Sequence, residues 1–223
     1  MKPYFTPELF SFLSELRENN DREWFAANKG RYENDVRDPV LRFISDFGVP
    51  LTRISSHLVA DPRPVGGSMF RIYRDTRFSR DKSPYKTHVG VHFFHEKAKK
   101  APSVPGFYLH LEPDKCFAAA GIWHPDPTAL LRVREAIASS SPEWKAVKRS
   151  GLPIEGGTLK RPPRGFDPEH KDIDALKRTD FVFSTPLKNV DVCSSSFLND
   201  FAAHCRRMAP IAKLAATALK LVW

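Results

Sequence analysis

The sequence predicts an α+β fold in which a central, mainly antiparallel sheet is flanked by N-terminal and C-terminal helices. Apolar residues recur at helical spacing near both ends, they alternate with a period of two in the middle, and strands do not alternate strictly with helices. With 223 residues, of which 41% are hydrophobic, we expect one domain over residues 1–223. It comprises a helical layer over about 5–48, a sheet over about 54–124, and a part with helices and loops over about 126–223.

The N-terminal layer contains three predicted helices. The first begins with Thr6 as N-cap and Pro7 at its first position, and the second is capped by Asp21. The third runs from Pro39 to about Phe47 and ends at the glycine that follows. The aromatic residues of this layer fall on neighbouring helical turns, which indicates a packed core rather than a ligand cage.

Period-two alternation and turn residues predict the strands of the middle part. The predicted strands are Ile54 to Ala60, Met69 to Tyr73, Val89 to Phe93, Phe107 to Leu111 and Lys115 to Trp123. Lys97 to Pro105 reads as a solvated hairpin loop. The small residues from Ala118 to Gly121 either leave space for a ligand or let a helix pack closely.

The C-terminal part begins with two helices capped by Asp126 and Ser141. An irregular segment from Glu155 to His170 follows, and then a late strand from Phe181 to Phe183. The last helix is predicted to be capped at Ser194 to Ser196, to reach about Leu221, and to kink at Pro210.

Charge and cysteine usage limit the classes of function. The formal net charge of +9 favours acidic partners such as phosphates, nucleic acid or anionic metabolites. The cysteines Cys116, Cys193 and Cys205 are odd in number and lack C-x-x-C spacing, which indicates reduced thiols in a cytoplasmic protein. No apolar run is long enough for a membrane span, so no membrane partner is expected. Nothing in the sequence indicates an oligomeric state.

The strongest candidate site is the basic stretch Met69 to Gly90, MFRIYRDTRFSRDKSPYKTHVG. Planar arginine side chains suit bidentate contact with phosphate or carboxylate. The candidate ligand-binding residues in it are Arg71, Arg74, Arg77, Ser79, Lys82, Tyr85 and Lys86. The candidate acid–base residues are Asp75, Asp81, Lys82 and His88. A loop held together by arginine–aspartate pairs is the structural alternative.

Two further segments supply candidates. Lys160 to Gly165 is a second basic stretch on an irregular loop, and we expect Arg164 and His170 to fold over the sheet and complete the site. Tyr108 and His110 are expected on a polar strand face, where His110 is a candidate general base. The spacing of the histidines matches no metal motif, so no metal is expected. No phosphate-binding or dinucleotide glycine motif occurs, and the cofactor stays unknown.

Four segments resemble one known family. R-I-Y-R-D-x-R-F-S-x-D-K-x-P-Y-K-x-H-x-G runs from Arg71 to Gly90, and N-N-x-R-E-W-F-x-x-N-K-x-x-Y from Asn19 to Tyr32. P-G-F-Y-L-H-L-E-P with a following A-G-I-W-x-P, and K-R-P-P-R-G-F-x-x-E-H, lie further along the chain. Together they resemble domain of unknown function 2461, a family of bacterial and fungal proteins of about this size. The resemblance implies no activity and assigns no catalytic role.

The leading hypothesis is an Arg/Lys-lined pocket for a phosphorylated or other anionic small ligand, with enzymatic activity left open. A nucleic-acid-binding protein is one alternative, and it predicts an affinity that falls steeply with salt. A structural or partner-binding module, in which the basic motif only staples a loop, is the other.

Overall fold

A computed structural model describes residues 2–98 and 104–223 of the chain, and it confirms the α+β class. Within these ranges five strands form one sheet in the order β1-β2-β3-β4-β5. Every neighbouring pair is antiparallel. The strands are β1 (Leu58–Val59), β2 (Val89–His95), β3 (Gly106–Leu111), β4 (Cys116–Ile122) and β5 (Phe181–Leu187).

Helices precede the sheet, connect β4 to β5, and end the chain. They are α1 (Pro7–Glu18), α2 (Arg22–Ala27), α3 (Lys29–Arg31), α4 (Asp38–Thr52), α5 (Pro127–Ala138), α6 (Pro142–Arg149), α7 (Ile173–Leu176), α8 (Asn189–Val192) and α9 (Phe197–Ala218). A π-helical segment, Tyr32–Arg37, joins α3 to α4, and a 3-10 helix, Glu96–Ala98, follows β2.

Three of the predicted caps form as the sequence indicates. The Asp21 carboxylate accepts a hydrogen bond from the Trp24 backbone N–H at 2.8 Å. Asp126 accepts from the backbone N–H groups of residues 128 and 129, and Ser141 from that of Trp144. These side chains satisfy N–H groups that have no partner within their own helices, which is why short polar residues begin α2, α5 and α6.

The third predicted helix was too short. Instead of ending near Phe47, α4 continues through Gly48 and Pro50 to Thr52. Its buried residues Val40, Phe43, Ile44, Phe47 and Leu51 keep helical spacing across the predicted stop. Burial of that continuous apolar face offsets the local cost of the glycine and the proline.

Other boundaries also differ from the prediction. The strand expected over Ile54 to Ala60 is only Leu58–Val59, and the one expected over Met69 to Tyr73 is reduced to isolated bridges at its two ends. The last helix begins at Phe197 and ends at Ala218, and it continues through Pro210. The Ser196 hydroxyl donates to Asp200 instead of capping a backbone N–H. Part of the predicted hairpin loop, residues 99–103, lies outside the described residues.

Helices cover one face of the sheet. The longest described helix, α9, packs against β3, β4 and β5. The small residues of β4 therefore permit the close approach of α9. The rings of Phe47, Phe93 and Phe201 meet between α4, β2 and α9, with centroids of Phe47 4.7 Å from Phe93 and 4.9 Å from Phe201. The aromatic residues predicted for the core are largely buried there. The outer face of the sheet carries the intervening residues, including His92, Tyr108 and His110.

Candidate functional site

The first basic stretch folds into a two-stranded ribbon that extends the sheet beside β2. Met69 bridges to Val91 and Tyr73 to Tyr85. Backbone N–H groups of Arg74 and Lys86 donate to the carbonyls of residues 84 and 72, at 2.9 and 2.7 Å. The stretch is therefore ordered backbone, with residues 75–83 forming its tip.

At the tip, most predicted ligand-binding cations already have partners. Arg77 pairs with Asp75 at 2.7 Å, and Arg74 pairs with Asp81. The ammonium group of Lys82 donates to the Thr76 carbonyl at 2.9 Å. The Arg77 side chain holds the pKa of Asp75 below its ordinary value, and Ser83 together with Arg74 does the same for Asp81.

Not every cation of the stretch is compensated in this way. Within the described ranges, Arg71 and Arg80 are exposed and have no acidic partner within ion-pair distance. Ser79 closes the turn through its backbone N–H, which donates to the Thr76 carbonyl at 3.3 Å. Lys86 donates to the carbonyls of Arg71 and, at 3.2 Å, Tyr73, and burial lowers its pKa.

The ribbon is anchored to the N-terminal helices through Tyr85. The Asn20 side-chain amide donates to the Tyr85 carbonyl and accepts from the Tyr85 N–H, both at 3.0 Å. The Tyr85 ring stacks on Phe25 with centroids 4.1 Å apart. Two of the four family-like segments therefore meet here, and Asn20 is a positioning residue that the sequence pattern did not single out.

A cleft of about 370 Å³ opens where the ribbon meets the start of α2. It is lined by Arg22, Tyr73, Arg74, Thr76, Pro84 and Tyr85. Arg22 was not among the predicted site residues, because an exposed arginine at the start of a helix carries no local signal. Within the described residues Arg22 has no acidic partner within ion-pair distance, whereas Arg74 shares its charge with Asp81.

A larger groove of about 680 Å³ lies between α1 and α8. Its charged lining is acidic, with Glu15, Glu18 and Asp114. Arg31 pairs with Glu15 at 2.7 Å, which leaves Glu18 and Asp114 as the uncompensated charges among the described lining residues. These two carboxylates would repel an anion, so the groove does not match the partner that the net charge favours. The smaller cleft is the better anion site on chemical grounds.

The outer face of the sheet carries a second group of polar and aromatic side chains. We call it the sheet-face cluster, and it comprises His88, Tyr108, His110, Glu112 and Phe117. The His110 ring lies between His88 and Phe117, with centroid distances of 4.6 and 4.7 Å. The Tyr108 hydroxyl and the His110 Nδ1 are 3.1 Å apart, and the His110 Nε2 and the Glu112 Oε2 are 3.2 Å apart. The third family-like segment thus contacts the end of the basic stretch through these stacked rings.

The direction of the hydrogen bonds in the cluster follows from charge. Burial lowers the pKa of His110, against the opposing effect of Glu112, so the imidazole is neutral at pH 7. A carboxylate only accepts hydrogen bonds, so Nε2 carries the proton and donates to Glu112. Nδ1 then accepts from Tyr108, whose pKa burial raises to about 12. Both ring nitrogens of His110 therefore have partners, as do the carboxylates of Asp75 and Asp81.

Stability should fall as the pH drops, and His88 is one cause beside His92, whose pKa burial lowers to about 4. Burial, and then the neighbouring His110, lower the pKa of His88 from 6.5 to about 4. Between these values the unfolded chain binds a proton that the folded chain does not, so the free energy of unfolding falls as pH drops from 6.5 to 4. His88→Phe keeps a ring against His110 and should make this dependence shallower in urea titrations across that window. His204→Gln is the control, and an unchanged slope in His88→Phe would contradict the assignment.

The second basic stretch lies at the other end of the sheet. Glu155 bridges to Val182 on the free side of β5, while Met69 bridges to Val91 on the side of β2 that also pairs with β1. Five inter-strand steps separate these edges, roughly 24 Å. Within the described residues no hydrogen bond or ion pair joins Arg164 or His170 to residues 69–90. The structure therefore does not bring the two basic stretches into one site.

Within residues 2–98 and 104–223, no three His, Cys, Asp or Glu side chains form a group that could hold a metal ion. In the same ranges, none of the helices combines the length and the apolar character that crossing a membrane requires.

The fold and site define an α+β protein in which helices cover one face of the sheet. The outer face carries the hydrogen-bonded side chains Tyr108, His110 and Glu112, and an arginine-lined cleft lies at the edge of the sheet. The profile of a family described as "Conserved hypothetical protein (DUF2461)" matches residues 8–213. The chain belongs to this family, as the four segments predicted. Comparisons with curated proteins and with solved structures found no match.

Proposed function

We propose that the protein binds the phosphate or carboxylate group of a small anionic ligand in the cleft between α2 and the basic ribbon. The observation that carries the proposal is Arg22, a guanidinium at the cleft with no acidic partner among the described residues. Arg74 lies on the same cleft and supplies a second planar cation. Two guanidinium groups match the bidentate geometry of a phosphate or a carboxylate.

In this proposal the ligand competes with Asp81 for Arg74, because the two residues form an ion pair. Asp81 is an exposed carboxylate bound to Arg74, and an incoming anion would replace it. Exposed ion pairs contribute about 0.2–1 kcal/mol, so Asp81 is a weak competitor. The pair keeps Arg74 ordered without closing the cleft to a stronger ligand.

Replacing Arg22 tests the proposal. We expect Arg22→Ala to weaken the binding of inorganic phosphate about tenfold or more, measured by titration calorimetry, because a charged hydrogen bond is worth about 1.5–3 kcal/mol. Asp81→Asn should tighten the same binding by up to about fivefold, because it frees Arg74. Arg17→Ala, an exposed arginine of α1, is the matched control and should bind like the wild type.

The alternatives predict different results. Binding of short nucleic acids, with an affinity that falls steeply with salt, and no effect of phosphate would favour a nucleic-acid partner. No binding of any anion, together with a lower melting temperature in Arg74→Ala, would favour a purely structural ribbon. We place the function in the cytosol, where the free thiols of Cys116, Cys193 and Cys205 would stay reduced.

A further inference from the structure

A buried cation lies well away from the cleft, on the face of α5 that packs against residues 170–178. Arg134 is only 8% exposed. Its Nη2 donates to the Arg178 carbonyl at 3.0 Å, but its buried Nε has no hydrogen-bond partner among the described residues. Burial lowers the pKa of the guanidinium. Arginine is rarely buried unless it is paired, because desolvation of a charge costs several kcal/mol.

The carboxylates on and just after the segment 170–178 do not compensate the charge of Arg134. Asp172 pairs with Lys148 at 3.2 Å, and Asp174 lies 3.8 Å from Lys177. Asp180 accepts the backbone N–H groups of residues 124 and 157, at 2.7 and 2.9 Å. Over residues 2–98 and 104–223, no carboxylate lies within ion-pair distance of Arg134. The folded chain therefore holds a desolvated positive charge without a counter-charge.

The surroundings of Arg134 are basic and well ordered. One turn further along α5, the Ala138 carbonyl accepts a hydrogen bond from His170 Nε2 at 3.3 Å, and His170 Nδ1 accepts the Asp172 backbone N–H at 3.0 Å. Both nitrogens of His170 thus hold the segment against α5. Residues 160–178 carry six cations, Lys160, Arg161, Arg164, Lys171, Lys177 and Arg178, against the four carboxylates Asp167, Glu169, Asp172 and Asp174. The small positive excess of this segment favours anions.

We propose that Arg134 binds the oxyanion group of a small ligand, at a second site formed between α5 and the segment 170–178. The ligand supplies the counter-charge that the chain lacks, at the part of the guanidinium that stays accessible, since the Nε itself is enclosed by protein atoms. Arg178 contributes its backbone carbonyl to Arg134, while its own guanidinium donates to the Gly156 carbonyl at 3.3 Å. His170 is a positioning residue of this site, and it acts through the segment that it holds.

The test uses the purified full-length protein and two substitutions on α5. Arg134→Met keeps the packing of the side-chain stem and removes the charge, while Arg132→Met, an exposed residue of the same helix, is the control. Melting temperatures are measured in a low-salt buffer without oxyanions, then with inorganic phosphate and, separately, acetate. Phosphate at about ten times its Kd should raise the melting temperature of the wild type and the control by about 3–6 °C.

Arg134→Met should show two effects together. Without oxyanions it should melt at or above the wild-type temperature, because a buried unpaired charge is replaced by an apolar group. It should also lose the part of the phosphate shift that persists in Arg22→Ala. If acetate reproduces the shift, the site takes carboxylates as well as phosphates.

Two results would overturn the inference. They are the absence of a phosphate shift in the wild type, and a full phosphate shift in Arg134→Met, whether or not that variant is destabilised. The outcome is separable from that of the cleft, because a shift abolished by Arg22→Ala but retained by Arg134→Met would support the cleft alone. The reverse pattern would support the Arg134 site alone.

Discussion

Gly121→Ala is expected to lower the free energy of unfolding by about 3–5 kcal/mol. Gly121 has a φ of +127°, and a Cβ placed there would lie 2.0 Å from the Phe181 carbonyl oxygen. That oxygen belongs to β5, which pairs with β4 along the whole length of both strands. The carbonyl cannot move without disturbing the ladder that joins the late strand to the rest of the sheet.

Urea denaturation followed by circular dichroism checks this expectation. Gly30→Ala is the control, because Gly30 lies in a helix and a Cβ there meets nothing within 4 Å. This control should stabilise the protein by about 0.5–1 kcal/mol. If Gly121→Ala folds with wild-type stability, the described pairing of β4 with β5 at this position is wrong.

Asn20→Ala is expected to lower the free energy of unfolding by about 2–3 kcal/mol and to weaken phosphate binding at the cleft. The Asn20 amide makes both hydrogen bonds to the Tyr85 backbone. Its loss leaves a buried N–H and a carbonyl without partners, and each such group costs about 1–3 kcal/mol. The ribbon would then be held to α2 mainly by the stacking of Tyr85 on Phe25.

Hydrogen exchange of residues 73–86, beside urea denaturation, would separate local release of the ribbon from global destabilisation. Asn19→Ala is a close control, because the Asn19 amide donates only to a carbonyl of its own helix in an exposed position. We expect it to cost less than about 1 kcal/mol. Equal effects of the two substitutions would mean that Asn20 does not anchor the ribbon.

The basic stretch from Met69 to Gly90 connects the two parts of the candidate site. The end of the basic stretch contributes His88 to the sheet-face cluster, while its beginning and middle contribute Tyr73, Arg74 and Tyr85 to the cleft. Gly90 follows His88 at the end of this stretch, and a Cβ there would meet the Tyr108 hydroxyl at 2.6 Å. The glycine that closes the basic motif therefore admits the close approach of the Tyr108 side chain, which would have to shift if a Cβ were present.

Much of the secondary structure could be predicted from the sequence, because its causes are local. Asp21, Asp126 and Ser141 cap helices where expected, since a capping side chain needs only the next three residues. The alternation around His92 and His110 correctly indicated strands. The stop predicted at Gly48 was wrong, because packing of the apolar face of α4 outweighs the local preferences of a glycine and a proline.

The composition of the site depended on contacts between distant residues. The sequence by itself determined that a basic, ordered stretch from Met69 to Gly90 exists, and its motifs determined the family. Only the tertiary structure decided that Arg22 joins Arg74 at a cleft and that residues 155 and 158, which precede the second basic stretch, bridge at the opposite edge. The physical reason is that propensity and periodicity act over a few residues, whereas strand order and packing decide which distant side chains meet.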